Sequence, residues 1–323
     1  MKPAILVLAA SGLDTARRIA ALTGGTIHAE GAKTLAPRLF ADGTPIIGVC
    51  AAGILIRLLG PHLADKHAEP PVLAVSQDGA HVVPLLGGHH GANRLAREIA
   101  DGLGGGAALT TASDARFAFG LDEPPPGYRL ANPESVKPAT ATLLAGASIR
   151  LTGKADWLAA AGYPLSSAGT VHVAVTDRLV DNDGPVYNPV DLVAGVGCER
   201  DVPTAEIVDL VTATLAVENL SPLSLAALAT IDIKADEPAL IEAARHFGVP
   251  LRLFSAAELA AERARIPNPS HIVEAETGTP SVAEAAALKA GELIVQKHKS
   301  RRATCAIGRA PQPIEAQALG FRP

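Results

Sequence analysis

The stretch AILVLAASGLDTARRIAALTGGTIH, residues 4–28, decides the fold class of this chain. A short apolar run is followed by apolar residues at helical spacing and then, after two glycines, by a second short run. Short apolar runs bounded by turn residues are typical of buried strands, and two strands separated by a helix are typical of a parallel sheet. We therefore expect an α/β fold from the first residues onward.

The same alternation of strands and helices returns along most of the chain. It weakens only between about residues 122 and 190, where prolines are frequent and the strand-like pieces, such as ASIRLTG (147–153), are short. The predicted architecture is two α/β sandwich domains with mostly parallel or mixed sheets, joined by a proline-rich, partly β region. The expected segments are the N-terminal domain 1–121, the connecting region or small subdomain 122–190, the C-terminal domain 191–310 and the tail 311–323.

One antiparallel pair is expected in the N-terminal sheet. The apolar runs PVLAVS (71–76) and HVVPLL (81–86) flank Asp78-Gly79. An Asp-Gly pair between two apolar runs favours a tight hairpin turn, so these two strands are predicted to be neighbours.

Composition and charge narrow the class of protein. The chain has 323 residues, of which 48% are hydrophobic and 19% charged, and its formal net charge is −5. Such a chain is a poor match for nucleic acid, and its basic run KHKSRR (297–302) is interpreted as a solvated turn. The N-terminal apolar run is too short for a signal peptide, and no stretch reaches the roughly 20 apolar residues of a membrane span. We expect a cytoplasmic protein with neither a nucleic-acid nor a membrane partner.

The cysteines indicate a reducing compartment. Cys50, Cys198 and Cys305 are far apart, and the sequence has no CxxC pair. Cys198 would be a nucleophile only if its thiol pKa were lowered, which Glu199 opposes and Arg200 favours. We interpret Cys198 as a buried structural cysteine.

The run LLGGHHGAN, residues 85–93, places two histidines at a predicted helix entrance. Helix N-termini attract anions, and histidine titrates near neutrality, so this stretch suits proton transfer or an anionic ligand. The structural alternative is a glycine turn with one histidine hydrogen-bonded to the backbone. Because the adjacent side chains of His89 and His90 point in different directions and HExxH is absent, we expect no metal site.

Two glycine-containing runs follow apolar strands at equivalent places in the two predicted domains. They are GVCAAG (48–53) and GVGCERD (195–201). Ligands of open α/β sheets bind beyond the carboxyl ends of strands, so both runs are candidate binding loops. Neither matches G-x-G-x-x-G, and a dinucleotide fingerprint is therefore not supported.

Two further runs in the C-terminal half carry charged residues. In LATIDIKADEP (228–238), strand alternation predicts Thr230, Asp232 and Lys234 on one face, as an ion pair or a substrate contact. The alternative is a solvated strand face with Asp236 as a helix N-cap.

The run GTPSVAEAAAL (278–288) is predicted to be another helix entrance. Thr279 or Ser281 can cap this helix, and Glu284 lies one turn in. Capping accounts for most of the run, and a catalytic serine is not predicted because a G-x-S-x-G context is absent.

Taken together, these runs resemble the CbiG family, the cobalt-precorrin-5A hydrolases of cobalamin biosynthesis. The resemblance spans nearly the whole chain, in order, which is more specific than any single motif. The segments that carry it are GVCAAGILIRLLGPHLADK (48–66), LLGGHHGANRLAREIA (85–100), TTASD (110–114), GVGCERDVPTAEI (195–207), LATIDIKADEP (228–238) and GTPSVAEAAAL (278–288).

The resemblance implies a hydrolase that opens the δ-lactone of cobalt-precorrin-5A and releases the C20 unit as acetaldehyde. It implies a corrinoid tetrapyrrole substrate, no separate cofactor because the substrate carries the cobalt, and transient contact with other cobalamin-pathway enzymes. The C-terminal domain also resembles CobE, a small cobalamin-pathway protein. Two alternatives are a non-catalytic tetrapyrrole carrier, which needs no titrating base, and a phosphate-ligand α/β enzyme, which lacks its fingerprint here.

Residue roles follow as hypotheses from the chemistry of that reaction. Opening a lactone with water needs a base that titrates near the working pH and donors aimed at the developing oxyanion. Candidate catalytic residues are His89 as base, His90 beside it, and Asp232, Glu237 and Glu284 for further proton transfer. Backbone N–H groups near Gly91 and Ala92 are candidate oxyanion donors. Cations match the carboxylates of the substrate, and the substrate-binding candidates are Arg57, Lys66, Gly88, Gly91, Asn93, Arg94, Arg200, Lys234 and Ser281.

Overall fold

The computed structural model describes residues 2–65, 68–110 and 116–314, without the side chain of His89. The chain divides into two compact units. The first comprises Met1–Glu123 with Ala160–Gly162, and the second comprises Pro124–Ala159 with Tyr163–Pro323. Strands and helices alternate in both units, which confirms the predicted α/β class.

The first unit is built on one sheet. Its strands are β1 (Ala4–Val7), β2 (Thr26–His28), β3 (Ile46–Val49), β4 (Val72–Val75), β5 (His81–Leu86) and β6 (Gly106–Ala107), and its helices are α1 (Leu13–Thr23), α2 (Ala32–Ala41), α3 (Ala52–Leu59) and α4 (Ala92–Leu103). The strand order is β2-β1-β3-β4-β5-β6. Strands β1 to β4 are parallel, and β5 runs antiparallel to β4.

The antiparallel pair arises at the predicted hairpin. The Gly79 N–H donates to the Ser76 carbonyl at 2.9 Å, and Gly79 adopts a φ of +76°, which glycine tolerates best. The Asp78 carboxylate accepts hydrogen bonds from the Ser76 hydroxyl at 2.5 Å and from the Ala80 N–H at 3.0 Å. The Asp-Gly pair therefore reverses the chain as the sequence predicts.

The second unit contains two sheets. Its first sheet comprises β7 (Tyr128–Leu130), β8 (Ile149–Thr152), β9 (Val171–Val175) and β10 (Val186–Pro189), in the order β7-β10-β9-β8, with helices α5 (Val136–Leu144) and α6 (Asp156–Ala160). The second sheet has the order β13-β12-β11-β15-β14. Its strands are β11 (Leu192–Cys198), β12 (Leu225–Ile231), β13 (Leu251–Phe254), β14 (Glu292–Lys299) and β15 (Ala303–Arg309), and its helices are α7 (Thr204–Ala216), α8 (Pro238–His246), α9 (Ala256–Ala260), α10 (His271–Thr277) and α11 (Val282–Leu288).

Helices cover both faces of the five-stranded sheet. Alternate side chains of β11 pack on α7 and α8 on one face and on α11 on the other. All residues of α11 are buried. The main chain of α11 lies so close that a Cβ on Gly195 would stand 2.0 Å from the Ala283 carbonyl oxygen, and a Cβ on Gly308 would stand 2.0 Å from that of Ala287. These two glycines therefore set the position of α11 against the sheet.

The prediction for LATIDIKADEP is wrong in one respect. Strand β12 ends at Ile231, and Asp232–Lys234 forms a 3-10 turn, so Thr230, Asp232 and Lys234 do not share a strand face. Every residue of β12 is buried, whereas Asp232 is exposed. The charge of Asp232 requires solvent, and the chain leaves the sheet there and enters α8, with Pro238 in its first turn.

Candidate functional sites at the strand ends

The LLGGHHGAN run begins with the last two residues of β5 and leads into α4, which confirms the predicted helix entrance. Gly87 adopts a φ of +74°, and a Cβ there would lie 2.6 Å from the backbone of Pro70. Residues Gly88–His90 form a 3-10 turn, and Gly91 adopts a φ of +85° before α4 begins. Gly87 and Gly91 therefore make the sharp entry to this helix.

The predicted oxyanion donors of this loop are already engaged. The Gly91 N–H donates to the Gly88 carbonyl at 3.3 Å, and the Ala92 N–H donates to the Gly87 carbonyl at 3.1 Å. The prediction that they are free to bind an oxyanion is therefore wrong, because the tight turn uses them itself. The guanidinium of Arg94 lies beside Gly91, with Nη2 3.3 Å from the position of a Cβ there.

The other candidates of the first unit lie in different surroundings. His90 is exposed, Asn93 is buried, and Arg94 is half-exposed, with its Nε 3.9 Å from the Glu98 carboxylate. The side chain of His89 and the whole of Lys66 lie outside the described residues.

The GVCAAG run lies at the opposite edge of the same sheet, where the other ends of the strands meet. It lies at the carboxyl end of β3, whereas LLGGHHGAN lies at the end of β5, which runs the other way. A cavity of about 620 Å³ at this edge is lined by Cys50, Ala52, Ser76, Asp78 and other residues. Hydrogen bonds from Ser76 and Ala80 lower the pKa of Asp78, and burial raises the pKa of the Cys50 thiol.

Arg57 lies in the last turn of α3, the helix that follows GVCAAG. Its Nη1 donates to the Gly53 carbonyl at 3.0 Å, so the guanidinium turns back toward the first turn of the helix. Arg57 and the LLGGHHGAN loop are therefore separate candidate sites within the first unit.

In the second unit, the structure brings three predicted residues together at the carboxyl ends of β11 and β12. Glu237 is 1% exposed at the N-cap position of α8. Its Oε1 accepts the Asp201 N–H at 3.1 Å, and its Oε2 lies 3.8 Å from both Arg200 Nη1 and Lys234 Nζ. We call Arg200, Lys234 and Glu237 the Glu237 cluster.

Arg200 connects this cluster to solvent. Its side chain is 52% exposed, and its Nη1 lies 2.6 Å from the Asp236 carboxylate. Arg200 also donates to the Ile233 carbonyl at 2.5 Å and lowers the pKa of Asp236 through its hydrogen bond. The N-cap predicted for Asp236 is wrong, because Glu237 occupies that position and Asp236 pairs with Arg200.

Cys198 lies beside the Glu237 cluster at the end of β11. Burial raises the pKa of its thiol to about 11, against the opposing charges of Lys234, Arg200 and Arg302. A thiol with this pKa is protonated at neutral pH and is a poor nucleophile. The prediction of a buried structural cysteine is wrong as to burial, because Cys198 is only partly buried, but its raised pKa argues against a nucleophilic role.

A second polar cluster lies where α11 begins. Glu284 is fully buried, and its Oε1 accepts hydrogen bonds from Asn268 Nδ2 at 2.8 Å and from the Lys297 N–H at 3.2 Å. Its Oε2 lies 3.8 Å from Lys297 Nζ and has no hydrogen-bond partner. Lys297 also donates to the Asn268 carbonyl and, at 3.5 Å, to the Ser281 hydroxyl. We call these four residues the Glu284 cluster.

Burial shapes the chemistry of the Glu284 cluster. The Lys297 side chain is 8% exposed, and burial lowers its pKa while Glu284 opposes that shift. Ser281 occupies the N-cap position of α11 but makes no capping hydrogen bond, and the Thr279 hydroxyl has no partner. The predicted capping role of Ser281 or Thr279 is wrong, because the Ser281 hydroxyl faces Lys297 instead.

The prediction that KHKSRR is a solvated turn is wrong for two of its residues. Lys297 is buried, and Arg302 contacts the segment after β11. Arg302 Nε lies 2.9 Å from the Glu199 carboxylate, and its two terminal nitrogens donate to the Asp201 and Arg200 carbonyls at 2.9 and 2.6 Å. Sequence reasoning missed Asn268, Lys297 and Arg302. No local pattern in the sequence marks these residues, because their contacts join distant parts of the chain.

Within residues 2–65, 68–110 and 116–314, histidine, cysteine and acidic side chains form no group of three suited to a metal ion. None of the helices described there combines the length and apolar character needed to cross a bilayer.

Comparison with known proteins shows relatives along almost the whole chain. Cobalt-precorrin-5A hydrolase of Salmonella typhimurium is 30% identical over an alignment of 346 positions, gaps included, that covers 94% of this chain and 97% of that protein. Cobalt-precorrin-5A hydrolase of Priestia megaterium is 30% identical over 308 residues, covering 86% of this chain and 82% of that protein. The chain belongs to the CbiG family.

The CbiG family models match both units. The model for the N-terminal part of cobalamin synthesis protein G matches residues 33–114, and the model for its C-terminus matches residues 192–308. Protein CobE of a Sinorhizobium species is 44% identical over 130 residues, which cover 39% of this chain and 84% of that protein. The predicted resemblance to CbiG and CobE is confirmed.

Proposed function

We propose that this chain is a cobalt-precorrin-5A hydrolase of cobalamin biosynthesis. It opens the δ-lactone of cobalt-precorrin-5A and releases the C20 unit as acetaldehyde, giving cobalt-precorrin-5B. The observation that carries this proposal is the 30% identity to the Salmonella hydrolase over 94% of this chain and 97% of that protein. Cobalt enters with the substrate, so the proposal assigns no separate cofactor.

The reaction needs a proton acceptor in each of two steps. A base takes a proton from water as the water adds to the lactone carbonyl carbon, and the ring C–O bond breaks to leave a carboxylate and a hydroxyl. Loss of the hydroxyl proton forms the aldehyde carbonyl and breaks the bond from that carbon to the macrocycle. The electron pair enters the conjugated macrocycle, which takes up a proton. One water is consumed and one acetaldehyde leaves.

The LLGGHHGAN loop supplies the proposed base of the lactone step. His89 lies in the turn that opens α4, and histidine is the residue type best suited to act as a base near neutral pH. Because the Gly91 and Ala92 N–H groups are engaged, Arg94 takes over the stabilisation of the oxyanion, and its guanidinium lies beside Gly91. Gly88 and Asn93 shape the loop, and His90 is the second candidate for proton transfer.

The second unit supplies further proton-transfer and binding groups in this proposal. Arg200 and Lys234 bind substrate carboxylates, since arginine and lysine pair with such groups, and the exposed Asp232 exchanges protons. Glu237, which is 1% exposed, positions Arg200 and Lys234. Glu284 is fully buried. We therefore assign it, with Ser281, the positioning of Lys297 rather than contact with substrate. Arg57 and Lys66 remain proposed carboxylate contacts of the first unit.

The decisive experiment is anaerobic incubation with cobalt-precorrin-5A while acetaldehyde is trapped with a hydrazine reagent. One acetaldehyde is expected for each cobalt-precorrin-5B formed, and a characterised family member serves as the active control. Tight stoichiometric binding without acetaldehyde would contradict hydrolysis and favour the carrier. Release of phosphate from a phosphorylated metabolite instead would favour the phosphate-ligand enzyme.

A further inference from the structure

The hairpin that joins β14 to β15 carries an exposed basic surface at the carboxyl end of β11. Lys299, the last residue of β14, pairs across the sheet with Thr304, which pairs with Gly197 near the end of β11. The Thr304 hydroxyl donates to the Gly197 carbonyl at 3.2 Å. A Cβ on Gly197 would lie 3.3 Å from Val282. The paired residues Gly197, Thr304 and Lys299 therefore face the start of α11 and the Glu284 cluster.

The turn of this hairpin is held by Glu206 of α7. The Glu206 carboxylate accepts the Ser300 hydroxyl at 2.5 Å and the Arg302 N–H at 2.7 Å, and these hydrogen bonds lower its pKa. The Ser300 N–H donates to the Ala303 carbonyl at 2.9 Å. Together with the contacts of Arg302 to residues 199–201, these bonds fix the turn, so a ligand that binds it meets preorganised groups.

Two cations of the hairpin remain available. Lys299 and Arg301 are exposed, and no ion pair involving either occurs among the described residues. The neighbouring acids hold other groups, because Glu199 pairs with Arg302 and Glu206 accepts the hydrogen bonds of the turn, while the charge of Arg301 acts on Glu206 only as a minor cause of its lowered pKa. Other exposed arginines of the second unit differ, since Arg178, Arg245 and Arg263 each pair with a glutamate.

We propose that this hairpin is a carboxylate-binding arm, with Lys299 and Arg301 anchoring acidic side chains of the substrate and Arg302 with Glu206 holding the turn. The proposal rests on the proposed function, because the tetrapyrrole supplies the carboxylates. A chain with a net charge of −5 attracts such a ligand through local positive charge, and the hairpin supplies it beside Arg200.

The test compares two double variants that remove the same net charge. Lys299→Ala/Arg301→Ala removes the arm, and Lys137→Ala/Lys154→Ala removes two exposed lysines beside the four-stranded sheet. Two exposed charge contacts, each worth a factor of about three, predict a KM for acetaldehyde release about ten-fold higher in the first variant, with kcat within two-fold. The KM of the first variant should also depend less on ionic strength. Equal KM values for the two double variants would overturn the proposal.

Direct binding separates this proposal from the proposed function. Uroporphyrin, a tetrapyrrole with eight carboxylates, is titrated into the full chain and followed by its fluorescence. We expect binding about ten-fold weaker for the Lys299/Arg301 variant than for the control variant, whether or not the wild-type chain releases acetaldehyde. If no acetaldehyde is released but this difference in uroporphyrin binding is observed, the hydrolase proposal is rejected and the proposal of a carboxylate-binding arm is retained. Equal binding by both variants, or none by the wild-type chain, would reject the arm.

Discussion

The two units differ in how they hold their main proton-transfer and charge candidates. In the first unit, His90 and Arg94 lie at the glycine turn that opens α4, where His90 is exposed and Arg94 is half-exposed. In the second unit Glu237 and Glu284 are 1% and 0% exposed and face cations. Residues on an open loop can change chemistry with little effect on folding, whereas a buried charge also determines stability. The contrast indicates that substitutions in the first unit affect the reaction and those in the second unit also affect the fold.

The largest expected effect is on stability in the Glu284 cluster. Glu284→Ala leaves Lys297 buried without its carboxylate, which should lower the free energy of unfolding by about 3–5 kcal/mol. Urea unfolding followed by the fluorescence of Trp157, which lies in the second unit, measures the loss. The double variant Glu284→Met/Lys297→Met should recover most of it. If Glu284→Ala were as stable as the wild-type chain, the buried charge would not determine stability in the second unit, and the contrast between the two units would be lost.

In the first unit, His89→Ala should change the reaction and leave stability alone. Loss of the base should lower kcat by a factor of about 100 or more, while the urea midpoint stays within experimental error of the wild-type chain. His90→Ala is the matched control, and its kcat should fall less than ten-fold. The rate of acetaldehyde release under saturating substrate checks both. Equal losses of kcat in the two variants would remove the special role of His89.

A third buried carboxylate, that of Asp191, tests whether burial of a charge by itself lowers the stability of the second unit. Asp191 is 8% exposed at the start of β11, and its Oδ1 has no hydrogen-bond partner. Burial raises its pKa to about 7, Asp177 adds to the shift, and Arg309, which pairs with Asp177, opposes it. A raised carboxyl pKa stabilises the fold below the ordinary pKa near 4, and this contribution is lost as the pH rises to about 7.

Asp191→Asn should therefore remove a pH dependence. We expect the variant to be about 2 kcal/mol more stable than the wild-type chain at pH 8, and to lose this advantage as the pH falls toward 4. Urea unfolding at several pH values, again followed by Trp157, measures the difference. A constant difference between the two proteins over this range would show that Asp191 does not titrate as its burial indicates.

The smallest effect on the free energy of unfolding is expected at Glu237. Its carboxylate lies near two cations, Arg200 and Lys234, whereas that of Glu284 lies near Lys297. Glu237→Gln keeps an acceptor for the Asp201 N–H and loses the pairs with Arg200 and Lys234, so the free energy of unfolding should fall by about 1–2 kcal/mol. Because Arg200 is half-exposed, salt should reduce this loss. A loss as large as that of Glu284→Ala would mean that the two clusters are equivalent.

Local patterns in the sequence predicted much of the fold. Short-range spacing identifies the succession β1-α1-β2 and the hairpin at Asp78-Gly79, which the structure contains. Each depends on residues that are near neighbours in the chain. Such elements follow from propensity and turn chemistry without knowledge of the tertiary fold.

The candidate site was less predictable because its contacts join distant parts of the chain. Lys297 contacts Asn268, and Ser300 contacts Glu206, 94 residues earlier. No local pattern in KHKSRR distinguishes a solvated turn from a hairpin held in this way. The end of β12 was misjudged for a related reason, since the alternation of LATIDIK continues past the point where the chain turns toward α8.

The close approach of α11 to the sheet has a consequence for mutational tolerance. At Gly195 and Gly308 the obstacle to a side chain is the carbonyl oxygen of another main-chain segment, which has no rotamer to move. A saturation library should therefore accept only glycine at these two positions, whatever the polarity of the replacement. The alanines of α11 meet side chains as well as backbone and should accept glycine or serine more readily. The boundary between forbidden and tolerated substitutions would then trace the line along which helix and sheet touch.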